Sequence, residues 1–204
     1  MRSRARARIA AGSSAWGGQP PLRSGARAGV FWAAAKTKGL PYLVQDGQSL
    51  GTGLAELRIA IAGDLHGQWD ASDEQVLEHC APDALLVVGD LSDGHQRTPA
   101  RLASLPLPLA CVLGNHDCGR DPTGRTLRLQ LETLGDRHCG WGLRELRPPG
   151  LAVVGARPAS AGGGFHLNLG AQAVFGPVTL EQSVERITDA ALAADPALPL
   201  ILLA

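Results

Sequence analysis

The pattern of this chain predicts an α/β fold, a sheet covered on both faces by other layers. Two observations carry that reading. Short unbroken apolar runs alternate with segments whose apolar residues fall at helical spacing, the signature of strands buried on both sides and joined by helices. Three of those runs also end in a glycine followed at once by Asp or Asn, in "IAIAGDLHGQWD", "LLVVGDLSD" and "ACVLGNHD". Glycine at a strand end lets the backbone turn sharply, and in open α/β sheets ligands gather beyond the carboxyl ends of the strands.

Each element follows in order. "LRIAIAG" predicts a buried strand over 57–63, and "SDEQVLEHC" a helix with Ser72 and Gln75 placed as a capping box. "ALLVVG" predicts a second strand at 84–89, and "TPARLASL" a short helix with Pro99 in its first turn. "LACVLG" predicts a third strand at 109–114. "TLRLQLETLG" could alternate as a strand, but Leu127, Leu131 and Leu134 share one helical face and Gly135 stands where a C-cap glycine would. "LAVVG" at 151–155 predicts another strand. In "TLEQSVERITDAALAAD", Thr179 and Gln182 form a second capping box, and Leu180, Val184, Ile187 and Ala191 line one side. "LILLA" begins a final strand.

Charge divides the chain in two. Of the 19 basic residues, eight lie within residues 1–45, where there is no acid; residues 46–204 hold the other 11 and all 19 acids, a net of −8. So acidic a body lacks the basic face that a nucleic-acid scaffold needs to neutralise phosphates. The Arg-rich, acid-free beginning reads as an organellar transit peptide, with residues 1–53 expected to be disordered. No apolar run approaches the ~20 residues of a membrane span. Cys80, Cys111, Cys118 and Cys139 show no C-x-x-C spacing, so neither a zinc ribbon nor a redox motif is indicated.

The strand ends supply Asp64, His66, Asp90, Asn115 and His116, a set of oxygen and nitrogen donors suited to a pair of divalent metals. His95, His138 and His166 are read as loop residues outside that set. The order D-x-H, G-D, G-N-H-[DE] resembles the calcineurin-like metallophosphoesterases. The resemblance implies a layered sheet sandwich covered by helices over 57–204, and a hydrolase acting on phosphate esters through a hydroxide activated by two divalent ions. Mn, Fe, Zn and Co all suit such ligands. It implies Asp64 and His66 on the first ion, Asp90 bridging both, and the Asn115 carbonyl on the second. It makes His116 a catalytic histidine that contacts the phosphate without binding metal, with Asp117 orienting it. Arg157, in "VVGARPAS", is a candidate for the substrate phosphate.

The resemblance is closest to a cyanobacterial and plastid branch that shares "GDLHGQWD" and "VVG-x-RP". A plastid location is therefore expected, with mitochondrion and cytoplasm as alternatives. In that family a further histidine and a G-H-x-H follow. Neither follows here, so the chain is expected to be a portion truncated before the last strands. The alternative function is a non-catalytic truncated product or a phosphate-binding module of the same fold.

Overall fold

The computed structural model describes residues 30–36, 56–159 and 167–204. Its first strands and helices are β1 (Val30–Lys36), β2 (Glu56–Gly63), α1 (Ala71–Cys80), β3 (Ala84–Val88), α2 (Arg97–Ser104) and β4 (Leu109–Val112). They are followed by α3 (Arg125–Leu134), β5 (Leu143–Leu146), β6 (Leu151–Gly155), α4 (Leu169–Phe175), α5 (Leu180–Leu192) and β7 (Leu200–Leu203). One sheet has the order β1-β2-β3-β4, with β1 antiparallel to β2 and the other three strands parallel. The second has the order β5-β6-β7, with β5 antiparallel and β7 parallel to β6.

The two-residue period of the strands divides the interior into two cores. Ala60 and Ala62 of β2, Leu85 and Val87 of β3, and Leu109 and Cys111 of β4 pack with Leu77, Leu102, Leu127 and Leu134 of the first three helices. The alternate residues Ile59, Ala84, Leu86, Ala110 and Val112 pack with Leu146, Leu151, Val153 and Leu203 of the second sheet. Helices therefore cover one face of the first sheet and the second sheet covers the other. Burial on both faces is why β3 and β4 read as unbroken apolar runs. This is the layered α/β arrangement that the sequence predicts, and it sets the tips of β2, β3 and β4 side by side.

The helix ends differ in detail from the sequence reading. α1 is capped by Asp70 and Asp73, not by Ser72 and Gln75: the Asp70 carboxylate accepts from Ser72 N at 2.7 Å and Asp73 accepts from Asp70 N at 2.8 Å. The acidic pair begins the helix two residues earlier and places both charges at its positive end. α5 starts on the expected Thr179 and Gln182 box. Its apolar stripe faces inward only in part, however, with Ile187 and Ala191 half-buried. Leu180 and Val184 are 45% and 52% exposed, while Ser183 and Ala190 are buried. The Trp141 indole donates to Ser183 Oγ at 2.7 Å, and Arg186 lies over the same ring at 4.6 Å, so these contacts choose the buried side.

Among the described residues, two strands and one α-helix have no counterpart in the sequence reading. β1 forms inside the segment assigned to disorder, where the "VFWA" run offers the β-branched and aromatic residues that strands favour. β5 and α4 are short, at four and seven residues, and too brief to establish a period. The remainder of the basic segment, and His166, lie outside the described residues.

Candidate metal centre

The site is built where three parallel strands end. Asp64, His66 and Asp90 all take positive φ (53°, 45° and 48°), three of the five non-glycine residues that do so among the described residues. A left-handed backbone costs an L-residue about 1–2 kcal/mol, and such strain concentrates at functional sites. Hydrogen bonds hold the tips in register. His66 N donates to Asp90 O at 2.8 Å, Gly67 N to Leu91 O at 3.0 Å, and His116 N to Asp90 Oδ1 at 2.9 Å. Gly114 makes room for that last contact, because a Cβ on it would fall 2.0 Å from Asp90 Oδ1.

Ligand atoms converge in two groups that share His66. Those of Asp64, His66 and Asp90 lie within 4.8 Å of one another, as do those of His66, Asp93 and His116. Asp64, Asp90, Asn115 and Arg157 line one cavity of about 360 Å³. His66, Asp93, Asn115, His116 and Arg120 line another of about 670 Å³, so Asn115 borders both. Carboxylate, imidazole and amide donors without thiolate suit a divalent ion of intermediate hardness, and their convergence fits a two-ion centre.

The structure thus brings Asp64, His66, Asp90, Asn115, His116 and Arg157 to two adjoining cavities. Asp117 is the exception. It is fully buried, and its carboxylate accepts from the backbone N–H groups of Leu91 (3.2 Å), Ser92 (2.7 Å) and Gly114 (2.7 Å), and from Ser92 Oγ (3.3 Å). Burial pushes its carboxyl up to about 6 against the pull of those three N–H groups. Through these bonds Asp117 ties the loops after β3 and β4 together from beneath, and among the described residues its carboxylate makes no hydrogen bond to His116. Asp117→Asn turns an amide NH2 toward backbone donors, and is expected to lower stability by about 1–3 kcal/mol. A melting temperature equal to wild type would contradict that role.

Asp93, which the sequence reading passed over, is the carboxylate paired with both histidines. Its Oδ1 pairs with His66 Nδ1 at 2.9 Å and lies 3.4 Å from His116 Nδ1. The two imidazoles meet edge to face, with centroids 4.8 Å apart. The hydrogen bond to Asp93 raises the His66 pKa above its ordinary value, and the same bond lowers that of Asp93. The second Asp of "GDLSD" was the available signal, but only the fold shows which histidines it meets. His95 is exposed, with its ring against Gly67, and His138 turns away to Pro158 O at 2.8 Å.

The family model for calcineurin-like phosphoesterases matches residues 57–171. That is more than half of the chain, and the chain belongs to this family. Comparison with curated proteins and with solved structures found no match. Among the described residues no helix is long and apolar enough to cross a membrane.

Proposed function

We propose that this chain is a metal-dependent phosphoesterase that hydrolyses phosphate esters at a two-ion centre. The observation that carries the reading is the convergence of Asp64, His66 and Asp90 ligand atoms within 4.8 Å at the tips of parallel strands. Asp64 and His66 would hold one ion, Asn115 the other, and Asp90 both. When bound, two divalent ions stabilise charge on the entering and leaving oxygens and bring the pKa of water down toward neutrality. Mn, Fe, Zn and Co all suit these donors.

The chain's own residues do the rest. Asp93 faces the Nδ1 atoms of His66 and His116, which leaves Nε2 as the working nitrogen of each ring. A carboxylate on the far nitrogen is the usual support for a metal-binding histidine, and it fixes the tautomer. For His116 the carboxylate on Nδ1 orients the ring so that Nε2 faces outward, and the imidazolium form can pass its Nε2 proton to the oxygen of the leaving group. Arg157 lines the cavity with Asp64 and Asp90, and its planar guanidinium suits two phosphoryl oxygens at once. The acid-free residues 1–45 support import into a plastid as the place where the enzyme works. Hydrolysis of phenyl phosphate, measured with and without added divalent metal, tests the reading.

A further inference from the structure

Two guanidinium groups border the site from different cavities, and only one of them is accounted for above. Arg157 shares a cavity with the metal acids Asp64 and Asp90. Arg120 shares the larger one, about 670 Å³, with His66, Asp93 and His116. Arg120 is exposed, and among the described residues no hydrogen bond or ion pair engages its guanidinium. The acids beside it are committed elsewhere. Asp121 accepts from Thr123 N (2.9 Å), Thr123 Oγ1 (2.6 Å) and Thr126 N (2.8 Å), while Asp93 serves the two histidines.

The backbone that carries Arg120 is fixed. Gly119 N donates to His116 O at 2.8 Å, closing a tight turn directly after the catalytic histidine. Gly119 has φ +57°, and a Cβ on it would come within 3.2 Å of Gly94 Cα, so the loops after β3 and β4 are pressed together just before Arg120. With His116 as the proposed donor to the leaving group, Arg120, which lines the same cavity, stands on that side of the site. The transferred phosphoryl group is already served by the metal ligands and Arg157. A cation beside the leaving group has a different partner to find.

We propose that Arg120 is a specificity-determining residue, which selects phosphate esters whose leaving group carries a second anionic group. The inference rests on the phosphoesterase reading. The cavity is within the ~300–1,000 Å³ range of small-molecule sites, which leaves room beyond the phosphate for such a group. A guanidinium paired with an anion forms a charge-assisted hydrogen bond, stronger than a neutral one and directional.

The test compares kcat/KM for 4-carboxyphenyl phosphate and phenyl phosphate in wild type, Arg120→Ala and Arg120→Glu, in metal-supplemented buffer. Differences in intrinsic reactivity cancel when the ratio of the two substrates is compared between variants. Arg120→Ala is expected to lower that ratio about 10-fold or more. Arg120→Glu should lower it further by repelling the carboxylate. Arg120 is exposed, so melting curves of the variants should match wild type. An unchanged ratio, with both esters still hydrolysed, overturns the role of Arg120 and leaves the phosphoesterase reading standing. Failure of the wild type to hydrolyse either ester overturns that reading, and this inference with it.

Discussion

Asp90→Asn is expected to lower hydrolysis of phenyl phosphate by a factor on the order of 10³ or more, since removing even one donor to developing charge costs about 10²–10³. The amide keeps the size of the side chain and so should leave the fold intact. It removes the negative charge from the one carboxylate assigned to both ions. Its local setting is demanding: a left-handed backbone at φ 48°, the His116 N–H bonded to Oδ1, and Gly114 cleared to admit the carboxylate. Initial rates in manganese-supplemented buffer, with a melting curve as the control for folding, measure the effect. Full activity in this variant would remove Asp90 from the centre.

His116→Ala is expected to lose about 10²–10⁴ in turnover, the range of a positioned general acid, while keeping the metal content of wild type. The side chain is 52% exposed, so its removal leaves no cavity in the core. Asp93→Asn should reproduce part of the loss, roughly 10–100-fold, by releasing the rings it orients. Turnover and metal content measured on the same preparations separate two roles for His116. If metal content falls with His116→Ala, the group formed by His66, Asp93 and His116 holds an ion directly, and the role of proton donor is wrong.

The site residues were legible because each follows an apolar run at once. A strand buried on both faces announces its own end, and parallel strands bring those ends together, so Asp64, Asp90 and Asn115 could be placed as neighbours from the pattern alone. Asp93 and Asp117 were not legible in the same way. The resemblance implied that Asp117 supports His116, yet consecutive residues in a turn point in different directions. Asp117 turns inward to three backbone N–H groups, and the support comes from the loop of the preceding strand.

The same contrast explains α5. Its capping box is local and was read correctly from Thr179 and Gln182, whereas its buried side depends on Trp141, far away in the chain. Ser183, Arg186 and Ala190 lie on the side that meets the protein, small residues and a cation over an indole, which hydrophobic periodicity does not score. In α1 the charged pair Asp70 and Asp73, and not Ser72 and Gln75, closes the box and begins the helix. β5 and α4 owe their form to their neighbours: β5 to its pairing with β6, and α4 to Asn168, whose side chain accepts from Ala171 N at 2.8 Å.

The central claim is that Asp64, His66, Asp90 and Asn115 hold divalent metal for phosphate-ester hydrolysis. Its most direct test is phenyl phosphate turnover after exhaustive chelation, followed by stepwise return of manganese. The account predicts that turnover disappears on chelation and returns as two equivalents bind. Turnover that survives chelation, or that returns with none of the metal bound to the protein, would contradict it.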